Sequence, residues 1–222
     1  MVAGQRRYEG LLLDLMGVLT SDLFDGYRSF SAAESLPDDA LVDFLTKDPE
    51  GHRLLVDVER GVIGQRDFEL GIGRRFGIDG ERLVERVWDY LRPEPLLLEF
   101  VRRARSHGIK AGLLSNSLGT EPYNACVAWN LVDEFDSLVI SGEVGLRKPD
   151  PEIFELAVKR LAVPAEACVF VDDMEHNLGP AREAGLTVVR HTEASKTIAE
   201  LERLFGNVLN SQQETVPRVS IE

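Results

Sequence analysis

Cysteine is scarce in this sequence: Cys126 and Cys168 are the only two among 222 residues. They lie far apart and match no metal-ligand spacing. Each sits in or beside an apolar segment, so both are expected to be buried free thiols, as a reducing cytoplasm allows. Long hydrophobic runs are missing too. No apolar stretch approaches the roughly 20 residues that a membrane span needs. The start from Met1 to Tyr8 is polar and basic, and Leu11–Leu13 is too short for the apolar part of a secretory signal. A cytoplasmic location and no membrane partner are therefore expected. Positive charge is also in short supply, with 25 Lys and Arg against 38 Asp and Glu and a net charge of −13. Most of such a surface repels phosphate, which argues against nucleic acid as a partner. A small phosphorylated molecule stays admissible, because it needs only a local cation or metal.

What is present suits a globular chain: 44% hydrophobic and 28% charged residues. The length holds one medium domain, or a core carrying a smaller insert. Short unbroken apolar runs stand at Leu11–Leu13, Ala111–Leu114, Ser137–Ile140, Cys168–Val171 and Thr187–Arg190. Such runs read as strands buried on both faces of a parallel sheet. Helical patterns lie between them. Glu99–His107 stops at Gly108, and Pro151–Leu161 follows a Pro-Asp-Pro start with Glu152 in its first turn. The alternation predicts an α/β fold with a parallel sheet.

From about Thr20 to Pro95 the alternation breaks. No strand pattern occurs there, and helices are predicted around Asp38–Leu45, Arg66–Phe76 and Glu81–Tyr90. The expected organisation is a core of residues 1–19 and 96–206, a helical insert of residues 20–95, and a disordered polar tail of residues 207–222. In an open parallel sheet, ligands bind beyond the carboxyl ends of the strands. Asp14, Ser115 and Asp172–Asp173 each end a strand. A single polar residue there is commonly a turn or a helix cap. Several carboxylates gathered together would repel one another and need a cation.

Four segments carry the chemistry, in this order. The first is Leu11-Leu12-Leu13-Asp14-Leu15-Met16-Gly17-Val18-Leu19 and the second Leu113-Leu114-Ser115-Asn116-Ser117. The third is Gly145-Leu146-Arg147-Lys148-Pro149-Asp150-Pro151. The fourth is Val169-Phe170-Val171-Asp172-Asp173, followed by Asn177 and Ala184-Gly185. Taken singly, Asp14 reads as a turn residue, Ser115-Asn116 as a helix start, and Lys148 as a partner for any surface acid. Taken in order, from about Glu9 to Phe205 and with a helical insert after the first strand, they resemble the haloacid-dehalogenase-like (HAD-like) superfamily. The paired acids resemble the subgroup that contains the phosphatase domain of soluble epoxide hydrolase. The resemblance implies a Rossmann-like parallel sheet flanked by helices, with residues 20–95 as a small helical cap.

The resemblance also implies the roles. Asp14 would attack phosphorus and form an aspartyl-phosphate, splitting hydrolysis into two easier steps. Magnesium, which seeks octahedral oxygen ligands, is implied as cofactor on Asp14, Asp173 and the backbone carbonyl of Met16, with Asp172 as a ligand or just behind. The Ser115 hydroxyl and the Asn116 backbone would hold a phosphate oxygen, and Lys148 would balance the charge shared by nucleophile and phosphoryl group. Asn177 falls at a position that is often polar in relatives and is a candidate substrate contact.

One position departs from the pattern. Family phosphatases carry a second aspartate two residues after the first, which protonates the leaving alcohol and then activates water. Here that residue is Met16. A thioether neither gives nor takes a proton, and losing such a group slows a reaction by about 10²–10⁴. Three readings stay open. A weakened or atypical hydrolase would act on a good leaving group, or draw a proton from Asp22, Asp25 or His52. A catalytically silent protein would bind a phosphorylated ligand or a protein partner without turnover. A metal-independent 2-haloacid dehalogenase needs no acid, because halide leaves unprotonated, but Asp172-Asp173 tell against it. Lys47, the only lysine of the insert, reads as a surface residue and not as a Schiff-base lysine. His176 and Arg147 are candidates for the rim of the site, whereas Trp88, Tyr90 and Trp129 read as packing within helices. Substrate identity and oligomeric state do not follow from the sequence.

Overall fold

The structure, a computed structural model, describes residues 7–206. The tail expected to be disordered, residues 207–222, lies outside the described residues. Five strands form one parallel sheet: β1 (Gly10–Leu13), β2 (Lys110–Ser115), β3 (Ser137–Ile140), β4 (Cys168–Asp172) and β5 (Thr187–Arg190). Their spatial order is β3-β2-β1-β4-β5. All five apolar runs are strands. Side chains on the central strand alternate between the two faces, Leu11 and Leu13 packing into one core cluster and Leu12 into another. β4 behaves likewise, with Val169 and Val171 on one side and Phe170 on the other. Burial of both faces explains why the runs show no polar alternation. Each fully buried leucine contributes about 1.5–3 kcal/mol.

Between β1 and β2 the chain forms α1 (Leu23–Ala33), α2 (Ala40–Lys47), α3 (Pro49–Glu59), α4 (Gln65–Phe76) and α5 (Leu83–Trp88). Then come α6 (Pro95–Ser106), α7 (Ala125–Ala128), α8 (Ser141–Val144), α9 (Pro151–Leu161), α10 (Glu175–Glu183) and α11 (Ala194–Phe205). α6 and α11 cover one face of the sheet through Leu97, Val101 and Leu201. α9 and α10 cover the other through Ile153, Phe154 and Leu178. Among the described residues, no helix is long and apolar enough to cross a membrane.

Two helices of the insert differ from the sequence expectation, which had none at α1 or α3. Both start on an aspartate cap: Asp22 accepts from Phe24 N at 2.7 Å, and Asp48 accepts from Glu50 N at 2.8 Å. Glycines within them, Gly26 and Gly51, blur the helical period. Gly51 is required by packing, because a Cβ there would stand 2.1 Å from the Phe44 carbonyl oxygen of α2. Tyr90 also differs: it lies beyond the end of α5 and is 41% exposed, so it is not a packing residue within a helix.

Helices α1–α5 bury their own apolar cluster, which includes Tyr27, Phe30, Leu41, Phe44, Phe68 and Trp88. The chain enters and leaves this region side by side. Ser21 N donates to Arg92 O, and Glu94 N donates to Leu19 O, both at 2.8 Å. Met16 packs against this cluster and against the sheet's core, so it ties the two together.

Candidate active site

β1, β2 and β4 are adjacent and parallel, so their carboxyl ends share one edge of the sheet. The chain passes from β1 to β2 and β3 on one side, then to β4 and β5 on the other. The switch point between β1 and β4 is where open sheets take ligands. Asp14 follows β1, Ser115 ends β2, and Asp172 ends β4.

Lys148 reaches this edge from the loop after α8. Asn116 clamps its backbone: Asn116 Nδ2 donates to Lys148 O at 2.9 Å, and Lys148 N donates to Asn116 Oδ1 at 2.8 Å. The lysine is 1% exposed. Its Nζ stands 2.9 Å from Asp14 Oδ1 and 2.7 Å from Asp172 Oδ2. Asp172 also accepts from Met174 N at 2.8 Å, and from Asn177 Nδ2 at 3.0 Å on each oxygen. With both its oxygens engaged, Asp172 orients Lys148 and Asn177.

Asp173 is different. Its Oδ1 is buried and has no hydrogen-bond partner. Its Oδ2 lies against Gly17, where a Cβ would approach it to 2.7 Å. Gly17 also has φ +74°, a conformation that glycine adopts freely. Oxygens of Asp14, Asp172 and Asp173 lie within 4.8 Å of one another. One lysine cannot neutralise three carboxylates, and the residual repulsion fits a cation site. Burial, opposed by Lys148 and reinforced by Asp172, raises the Asp14 carboxyl to about 7. Burial and then the Asp172 charge raise Asp173 to about 6. Burial pulls the Lys148 ammonium down, but Asp14 and Asp172 outweigh it and hold the lysine above its ordinary value.

A cavity of about 380 Å³ opens over these groups. Asp14, Met16, Ser115, Asn116, Lys148, Asp173 and Asn177 all line it, and Asp172 is fully buried behind it. Three further candidates, Asp22, His52 and His176, are at the cavity wall. Asp25 is elsewhere, paired with Arg28 at 2.9 Å on the surface. Lys47 is paired with Asp43 at 2.6 Å and is likewise exposed. Arg147 is largely buried in the wall and bonds Glu59 at 2.7 Å. Glu59 carried no signal in the sequence, being one more charged residue on a helix. Phe24, Tyr27 and Trp88 also line the cavity, yet along the chain they are indistinguishable from core. Cys126 and Cys168 are buried and free. Burial pushes their thiols up to about 11 and about 12, which leaves them unreactive.

An aspartate just past the central strand, a buried lysine beside it and paired acids stand together at the switch point of a parallel sheet. The haloacid dehalogenase-like hydrolase family matches residues 8–185, and the chain belongs to that family. It is 32% identical over 142 residues to a glyceraldehyde 3-phosphate phosphatase from Methanopyrus kandleri, covering 60% of this chain and 60% of that one. It is 29% identical over 127 residues to the same-named enzyme of Methanocaldococcus jannaschii, covering 57% and 56%. The chain thus spans under two thirds of the length of these curated relatives. Its fold matches a HAD family enzyme from Bacteroides thetaiotaomicron, solved as a magnesium complex, with a TM-score of 0.68 and 22% identity over 89% of this chain and 100% of that one.

Proposed function

We propose that this chain is a magnesium-dependent phosphohydrolase for a small phosphorylated molecule, using Asp14 as phosphoryl acceptor and lacking the usual proton-transfer group. The carrying observation is that Lys148 Nζ sits between Asp14 and Asp172 while Asp173 Oδ1 stays unpartnered beside them. Buried oxygens are ordinarily satisfied, and an orphan carboxylate oxygen next to two further carboxylates suits a hard, oxygen-seeking cation. Asp14, Asp173 and the Met16 carbonyl would hold magnesium, which when bound would neutralise phosphate charge and polarise the phosphoryl oxygens.

The remaining steps belong to the chain. Lys148 holds the Asp14 carboxylate in place and offers its charge to the incoming phosphoryl oxygens. The Ser115 hydroxyl and the Asn116 backbone hold a phosphoryl oxygen, and Asn177 faces the same space. Asp14 attacks phosphorus, and the alcohol departs without a proton from residue 16. Helices α1–α5 act as a cap, since Leu23, Phe24, Tyr27 and Trp88 supply the far wall of the cavity. The glyceraldehyde 3-phosphate phosphatases it resembles support a phosphomonoester as substrate class.

The test is hydrolysis of acetyl phosphate, small and activated, with and without magnesium. Wild type is expected to turn over and Asp14→Asn to be inactive. Turnover by Met16→Asp alone would favour the silent, ligand-binding role, which Met16 supports by closing off proton transfer. Halide release from a 2-haloacid in the presence of a chelator would favour dehalogenation instead.

A further inference from the structure

The cavity changes character away from Asp14. Its far wall is built from Leu23, Phe24, Tyr27, Leu45, Leu55 and Trp88. Met16 carries that apolar surface down to the strand-end acids. A space of about 380 Å³ lies in the range that takes ring-sized organic ligands. A triose would leave most of it unfilled.

The charged groups of that wall offer no anchor for a second anion. Arg147 is the cation closest in sequence to Lys148, and its guanidinium is already held by Glu59 at 2.7 Å. Both members of that pair are largely buried, so they satisfy each other. Asp22, His52 and His176 sit on the exposed side of the cavity, away from the far wall. A carboxylate or second phosphate directed at the far wall would therefore meet apolar side chains or a closed ion pair, and desolvating it there is unfavourable.

Resting on the phosphohydrolase role proposed above, we propose that the substrate is a phosphate monoester of a bulky, apolar, phenol-type alcohol with no second anionic group. An Asp14 oxygen forms a bond to phosphorus as the bond from phosphorus to the aryl oxygen breaks. The electron pair leaves on a phenolate, which the ring stabilises and solvent later protonates, so no acid is needed at residue 16. Water then adds to phosphorus, the bond to Asp14 breaks, and both water hydrogens leave on dihydrogen phosphate, restoring the carboxylate.

The experiment compares 1-naphthyl, phenyl, octyl and 4-carboxyphenyl phosphate on the magnesium-loaded full chain, with acetyl phosphate as reference. A KM for 1-naphthyl phosphate about tenfold below that for phenyl phosphate is expected, as is a kcat/KM at least about 100-fold above that for octyl phosphate. Leu55→Asp is expected to abolish the naphthyl preference. Equal kcat/KM on octyl and 1-naphthyl phosphate would overturn the phenol requirement, and equal KM for 4-carboxyphenyl and 1-naphthyl phosphate would overturn the apolar one. Acetyl phosphate turnover with no aryl ester turnover sinks the substrate class and leaves the phosphohydrolase role intact. If acetyl phosphate is inert as well, the phosphohydrolase role fails and the substrate class falls with it.

Discussion

The Lys148 ammonium lies 2.9 Å from the Asp14 carboxylate, in a spot where the lysine is 1% exposed. It also contacts Asp172 at 2.7 Å, so a single buried cation spans two of the three carboxylates. Each charge is tolerable in the interior only because the others are there.

Lys148→Met should therefore damage stability as well as chemistry. Removing one partner of a buried pair costs about 3–5 kcal/mol, because the other charge stays buried. Thermal unfolding in chelator is expected to show a large drop in Tm, partly recovered by magnesium, with turnover lost. A Tm unchanged from wild type would mean that the lysine is not part of the buried pair.

Gly17→Ala should act on the metal more than on the fold. The positive φ of +74° alone makes alanine unfavourable by about 1–2 kcal/mol. The added methyl would also press on Asp173 Oδ2, since a Cβ there lies 2.7 Å away. Magnesium affinity, read by calorimetry, is expected to fall at least tenfold, while circular dichroism stays native. Unaltered affinity would remove Asp173 from the ligand set.

Magnesium binding should strengthen as pH rises from 5 to 8. Asp14 and Asp173 are raised to about 7 and about 6 in the metal-free protein, and a cation must displace those protons. Affinity is expected to climb through that window and level off above it. Stability in chelator runs the other way. The folded state holds more protons than the unfolded chain between about pH 4 and 7. Metal-free protein is thus expected to lose stability as pH rises across this range, and calorimetric scans at pH 5 and 8 check the sign.

The phosphoenzyme should outlive that of an enzyme with an intact acid. On the proposed mechanism no base at residue 16 would assist water against an Asp14 phosphate, a deficit of about 10²–10⁴ in rate. Rapid quenching with 1-naphthyl phosphate is expected to give a burst of one naphthol per active site, followed by a slow phase. Met16→Asp should remove the burst by speeding the second step. A linear time course from wild type would show that another group activates the water.

The sequence determined the strands, because an unbroken apolar run is a local pattern and both faces of this sheet are buried. It also determined that Asp14, Ser115 and Asp172–Asp173 meet, since each ends a strand and parallel strands share their carboxyl edge. Asp48-Pro49 at the start of α3 is the same pairing as Asp150-Pro151, which marked α9, but no helix was expected there because Gly51 blurs the period behind it. Only the tertiary structure decided the rest. Whether Asp172 or Asp173 kept a free oxygen depended on where Lys148 and Asn177 donate. Asp22 and Asp25 are three residues apart, yet Asp22 caps the start of α1 at the cavity whereas Asp25 lies within α1 and pairs with Arg28. Glu59 and Arg147 meet across 88 residues, and Phe24, Tyr27 and Trp88 become a cavity wall only when α1 and α5 fold over the sheet. Periodicity along a chain reports which side chains are buried, whereas the identity of the neighbour that buries them is fixed by contacts between distant segments.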